Sequence, residues 1–174
     1  ECTCRVVENG EVREIPILPE LYHLVGLPQE KAFHEFDGWY HTLAVVSETE
    51  PDLTLRWGAL LHDVAKGMPT IRQVINGRYT DRGHDNLGAQ MAYNLLIRLG
   101  YNKKFASRVS WIVKNHMRFH FFVQNEEADE KKWMRKEIRS GEFRDSQSMR
   151  EAWLQLSKVC AADVLGCGKP YSVT

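Results

Sequence analysis

The chain has 174 residues, 43% of them hydrophobic and 26% charged, which suits one globular domain with its own core and leaves no room for a second catalytic domain. Lys and Arg number 23 and Asp and Glu also 23, for a formal net charge of zero. Binding nucleic acid or an anionic membrane through a broad cationic field is thereby excluded, although a local basic groove is not.

Residues 1–15 read as an N-terminal arm or a short hairpin, with Asn9-Gly10 as a two-residue turn signal between Val-rich flanks. Glu1 stands where a start methionine would, as in a piece of a longer protein. No basic-then-apolar leader follows and no apolar run reaches the roughly 18 residues of a membrane span, so a soluble, cytoplasmic protein is expected. Cys2, Cys4, Cys160 and Cys167 lie at the two ends without C-x-x-C spacing, the pattern of neither a disulfide framework nor a cysteine-ligated zinc.

Residues 16–174 read as a single helical domain. Asp37 caps a helix through His41, Leu43, Ala44 and Val46 that breaks at Glu50-Pro51. Asp52 starts another, in which Leu53, Leu55, Trp57, Leu60, Leu61 and Val64 place apolar groups nearly all round. It is therefore expected at the centre of the domain, ending at Gly67 with Pro69 just beyond. Ile71, Val74, Ile75, Asn76-Gly77 and Tyr79 predict a small hairpin with a type I′ turn. Helical periodicity resumes from Asp85 to Leu99, and Asn102 caps a segment through Phe105, Val109, Ile112 and Val113 to about Met117. Residues 126–151 mix eight acids with seven bases around Trp133, Met134 and Ile138, a solvated helical face with a loop at Ser140-Gly141. A last helix is expected from Gln147 to Leu165, with Trp153, Leu156, Val159 and Cys160 on its apolar side. The fold class is all-α: a helical bundle with one short β-hairpin.

His62-Asp63 falls at the end of the most apolar helix, where an unpaired carboxylate would be costly. Buried carboxylates are normally paired or metal-bound, and imidazole with carboxylate suits Zn, Mn, Fe, Co or Ni better than calcium or magnesium alone. Neighbouring residues on a helix point about 100° apart, since a turn takes 3.6 residues. His62 and Asp63 can thus share an ion only beyond the helix end, and further ligands must come from distant segments. His41, His84, His116 and Asp163 are the candidates.

At these residues the sequence resembles the HD superfamily of metal-dependent phosphohydrolases. The likeness is carried by W-Y-H-T around His41, L-L-H-D-V-A-K at 60–66, G-H-D-N-L-G-A at 83–89, K-N-H-M at 114–117 and A-A-D-V at 161–164, in the order H…HD…H…H…D. Residues 17–120 are most similar to the HD domain fused to bacterial tRNA nucleotidyltransferases, the CCA-adding enzymes. The nucleotidyltransferase head, with its Gly-Ser motif and D-x-D pair, has no counterpart here. The resemblance implies one metal on His41, His62, Asp63 and Asp163, and a second on His84 and His116 bridged by Asp63. Two cations about 3.5–4 Å apart can activate a water for in-line attack on a phosphoester.

Asp63 and Lys66 are the residues expected to serve catalysis, Lys66 either as a point charge for a phosphate oxygen or merely as a cation near a helix C-terminus. His34 reads as a surface residue and Asp37 as a cap. Arg56 either orients Asp63 or is simply exposed, and Arg118 and His120 line either a substrate mouth or a solvated loop. Trp39, Trp57 and Trp111 read as core. The expected activity is hydrolysis of nucleotide or nucleic-acid-end phosphoesters, with one or two divalent transition metals, a small nucleotide or short nucleic acid as substrate, and tRNA as a partner implied by the resemblance. The alternative is a non-catalytic RNA-binding or scaffolding domain associated with a tRNA nucleotidyltransferase.

Overall fold

Helix boundaries follow the capping chemistry in the computed structural model, which describes residues 3–168; Cys2 lies outside them. Asp37 accepts from the Tyr40 amide to open α1 (Gly38–Ser47), and Asp52 from Leu55 to open α2 (Leu53–Leu61). Asn102, Asp129 and Asp145 do the same for α4 (Lys103–Val123), α5 (Glu130–Arg139) and α6 (Ser146–Gly166). Each cap satisfies an amide that the first helical turn leaves without a partner. The remaining helix, α3 (His84–Arg98), begins instead after Gly83, whose φ of 87° is open to glycine without strain.

Two antiparallel hairpins complete the chain. β1 (Thr3–Glu8) pairs with β2 (Glu11–Pro16), and β3 (Gln73–Ile75) with β4 (Arg78–Thr80). Asn9 and Gly10 take φ of 52° and 81°, Asn76 and Gly77 φ of 52° and 75°, the positive pair a type I′ turn needs. A short 3-10 helix, Pro19–Leu24, links the first hairpin to the bundle.

Around α2 pack α1, α4 and α6, with α3 against α4 and α5 against α6. The near absence of a polar face on α2 explains that central place: Leu55, Ala59 and Leu61 are all buried. Gly58 brings it close to α4 and α6, since a Cβ there would stand 3.2 Å from both Ile112 and Val159. Trp111 is buried; Trp39 and Trp57 are half-buried at the edge of the core. No helix among the described residues is long and apolar enough to cross a membrane.

Three local expectations change. The second helix ends at Leu61 rather than Gly67, and residues 62–67 form tight turns with Val64 N–H on Leu61 O and Lys66 N–H on Asp63 O. His62 Nδ1 lies 2.7 Å from Ala59 O, the carbonyl that a continuing helix would offer to the amide of Asp63. The fourth helix runs to Val123 instead of stopping near Met117, because Phe119 is buried against Trp133 and Trp153 and rewards the extra turns. That extension puts Arg118 and His120 on a helix. Arg118 donates to buried Glu137 at 2.9 Å and lies 4.0 Å over the Trp133 ring, so it braces α5.

Candidate metal centre

Four imidazoles and two carboxylates converge where α1, the turn after α2, α3, α4 and α6 meet. His41 sits in the first turn of α1, His62 and Asp63 just past α2, His84 at the start of α3, His116 midway along α4 and Asp163 near the end of α6. All are buried except Asp163, whose side chain is 15% exposed. His41, His62 and Asp163 offer ligand atoms within 4.8 Å of one another, and so do Asp63, His84 and His116.

Asp63 lies between the two groups. Its Oδ2 faces His62 Nε2 at 3.2 Å and His41 Nε2 at 3.7 Å, while Oδ1 faces His84 Nε2 at 3.3 Å and His116 Nε2 at 3.7 Å. Both oxygens are buried and neither accepts a hydrogen bond of acceptable geometry. Lys66 Nζ stands 2.7 Å from Oδ2 and counters charge there, while Oδ1 has no hydrogen-bond partner. Buried oxygens without hydrogen bonds are rare in folded proteins and call for a specific partner.

The imidazoles are oriented by the backbone. His62, His84 and His116 each place Nδ1 on the carbonyl three residues earlier, Ala59 O at 2.7 Å, Asp81 O at 2.7 Å and Val113 O at 2.6 Å. His41 Nδ1 reaches Gly166 O, 3.2 Å away on α6. A carbonyl only accepts, so each Nδ1 carries the proton, and in the neutral ring Nε2 is left with its lone pair. These lone pairs confront each other, with His41 and His62 Nε2 3.3 Å apart and His84 and His116 Nε2 3.1 Å apart. Facing lone pairs, together with unbonded carboxylate oxygens, form a donor set that fits divalent cations, and the carbonyl behind each ring is the outer partner that metal-ligating histidines use.

Burial opposes a charge on His62, but the carboxylates of Asp63 and Asp163 outweigh it and raise its pKa to about 10, so its Nε2 holds a proton that a bound cation would replace. Burial, then His84 and His62, hold His116 down to about 3. Asp63 stays ionised against its burial because His62 and Lys66 favour the carboxylate. The pocket thus favours positive charge at His62 and opposes it at His116.

The segments expected to supply ligands are therefore brought together, and Lys66 joins them. Asp37 is a helix cap, and Arg56 is exposed on α2, away from Asp63. Two neighbours stand elsewhere than the sequence reading put them. His120 Nε2 contacts Asp163 Oδ2 at 2.8 Å; its place four residues after His116, on the same helical face, was the available signal. His34 is half-buried rather than on the surface, with its ring 4.7 Å from that of His41 and Nδ1 3.6 Å from Cys167 Sγ.

A comparison with protein families matches the HD domain to residues 38–145, a span that holds His41, His62, Asp63, His84 and His116 and stops short of Asp163. The chain is 36% identical over 105 residues to the A-adding tRNA nucleotidyltransferase of Deinococcus radiodurans, covering 58% of this chain and 24% of that protein. It is 37% identical over 105 residues to the CC-adding tRNA nucleotidyltransferase of Thermus thermophilus, with the same coverage. The multifunctional CCA protein of Psychromonas ingrahamii is 29% identical over 157 residues, 87% of this chain and 36% of that protein. The chain thus spans about a quarter to a third of the length of these curated relatives.

Proposed function

This chain belongs to the HD domain family, and on that premise we propose that it is a metal-dependent phosphohydrolase acting on phosphoester bonds of nucleotides or nucleic-acid ends. The observation that carries the reading is Asp63: a buried carboxylate, countered at one oxygen by Lys66, that turns Oδ2 to His41 and His62 and Oδ1 to His84 and His116. His41, His62, Asp63 and Asp163 would hold one divalent transition metal, and Asp63, His84 and His116 a second. Cations so held supply Lewis acidity toward a phosphate and its attacking water.

The chain's own groups do the rest. Nδ1–H bonds to carbonyls keep the four Nε2 atoms aimed inward. Lys66 Nζ, between Asp63 Oδ2 and Gln29 Oε1, is a point charge at the open side of the cluster, able to receive a phosphate oxygen. Asp163 and His120 close the opposite side, and burial of the ligands keeps bulk water from competing for them. A cytoplasmic location belongs to the same proposal, supported by Cys4 and Cys160, which form no disulfide among the described residues. Similarity to tRNA nucleotidyltransferases supports tRNA as a partner, and with it a second reading, in which the domain binds RNA without catalysis.

The test is elemental analysis and assay of protein purified without chelator. The expected result is about one to two equivalents of transition metal and phosphate release or cyclic-phosphate opening across a nucleotide panel. Chelation should abolish turnover and Mn, Co or Ni restore it; Asp63→Ala should lose metal and turnover together. Metal-replete protein that hydrolyses nothing, yet shifts RNA in a gel with affinity falling as salt rises, would overturn this reading in favour of the second.

A further inference from the structure

A cleft of about 650 Å³ opens over the cluster, with Lys66, His84 and His34 at its inner end. That volume suits a small-molecule ligand of nucleotide size. Its composition is divided. Phe33, from the segment before α1, and Phe121, from the last turns of α4, both line it, and each is 66% exposed. The hairpin β3–β4 adds Arg78 and Tyr79, with Arg82 just beyond it.

Each of these groups has alternatives that the structure closes off. Arg72, also in the cleft, is committed: its guanidinium holds both oxygens of Asp81 at 2.7 and 3.0 Å, donates to Pro28 O and stacks on Tyr79. That clamp fixes the base of the hairpin. Arg78 and Arg82 carry no such commitment and have no carboxylate partner among the described residues, although Glu30 and Asp85 share the cleft walls. Phe119 and Phe122, on the other faces of α4, are packed among Trp133 and Trp153, whereas Phe121 is turned out toward the cleft and solvent. Phe33 is likewise outside the core clusters. An exposed phenylalanine alone is ordinary. Two from distant segments, lining one cleft above the His and Asp cluster, are a stacking surface without its partner.

We propose that Phe33 and Phe121 stack against a single unpaired nucleobase, while Lys66 and the metal cluster take its phosphate and Arg78 and Arg82 meet further phosphates. This rests on the phosphohydrolase reading and narrows it: the substrate is a nucleoside phosphate read through its base, whether free or at an unpaired end of a strand. Stacking tolerates any base because every base has a π-face, so selectivity is for a base over none, and for an unpaired base over a paired one. The metal cluster and Lys66 alone would make no such distinction.

The experiment compares binding of adenosine monophosphate and ribose 5-phosphate to the metal-replete full chain by calorimetry, alongside hydrolysis of both. Phe33→Ala and Phe121→Ala should each weaken nucleotide binding roughly 5- to 100-fold, the range of base stacking, and leave ribose phosphate within twofold. Phe33→Trp should restore nucleotide binding, which loss of fold could not explain. Where hydrolysis is seen, the variants should raise KM and spare kcat. A single-stranded oligonucleotide ending in a phosphate should show the same losses, and the same end held in a blunt duplex should bind more weakly than the single strand. Equal binding of nucleotide and ribose phosphate by the unmodified chain, or equal losses for both in the variants, overturns the stacking surface even if hydrolysis proceeds. Nucleotide binding that depends on Phe33 and Phe121, with no hydrolysis or ring opening of any compound in the nucleotide panel, upholds the stacking surface and overturns the phosphohydrolase reading instead.

Discussion

His120 Nε2 lies 2.8 Å from Asp163 Oδ2, and the other oxygen of that carboxylate lies 3.0 Å from His41 Nε2. Asp163 is therefore held from behind by a half-buried imidazole that sits one turn after His116. His120→Ala should weaken metal binding about 10- to 100-fold, as removal of outer partners of ligands does, with little change in the fold. Competition with a chromophoric chelator measures this, and an unchanged affinity would make His120 a bystander.

Asp63 and Lys66 form a buried pair, 2.7 Å apart with side chains 3% and 16% exposed. In chelator, Asp63→Ala leaves the ammonium without its counter-charge, and unfolding by urea should show a loss of about 3 kcal/mol or more. The double variant Asp63→Ala, Lys66→Met should recover most of it. A single variant as stable as the parent would mean that relief of the buried carboxylate outweighs the lost pair.

Gly166 joins the fold to the site. A Cβ there would stand 2.6 Å from Val45 Cγ2 and 2.8 Å from the Val45 nitrogen, and its carbonyl receives His41 Nδ1. Because backbone is in the way, Gly166→Ala should push α6 off α1. We expect a loss of about 1–3 kcal/mol, the usual cost of overpacking, and a weakened metal site, read by urea titration and chelator competition.

Acid stability offers a check that leaves the metal site aside. Bonds from the Ser148 amide and hydroxyl, then Arg144, lower the Asp145 carboxyl at the start of α6 from 3.8 to about 2. A depressed carboxyl contributes stability that is complete above 3.8 and disappears as pH falls through about 2. The stability difference between the parent and Asp145→Asn, measured in urea, should therefore shrink as pH is lowered from 4 to 2. A constant difference would show that the charge at this cap contributes nothing.

Much of this was legible in the sequence because it is local chemistry. Asp37, Asp52 and Asn102 announce their helices as caps, and Asn9-Gly10 and Asn76-Gly77 announce their turns. His41, His62, Asp63, His84, His116 and Asp163 were readable from type and order. The end of α2 was not, because a side chain, His62, takes a helical carbonyl and no propensity registers that. The extension of α4 was hidden because Phe119 is rewarded only by Trp133 and Trp153, which arrive from later helices. His34 was missed for the same reason: nothing near it in the chain foretells that the end of α6 folds over it. The role of Asp163 rests on order alone, since the matched family segment ends at residue 145.

The link from His41 to Gly166 spans 125 residues, and Asp163 arrives on that same last helix. During synthesis, the core shared by α2, α3 and α4 can assemble while the cation cluster still lacks its final wall. Bringing such remote segments together carries the entropy cost of closing a long loop, and ions captured at the end would act as a reversible cross-link between the first helix and the last. Chelated chain should then lose the docking of α6 first, visible as faster amide exchange along residues 146–166 than in α3 or α4.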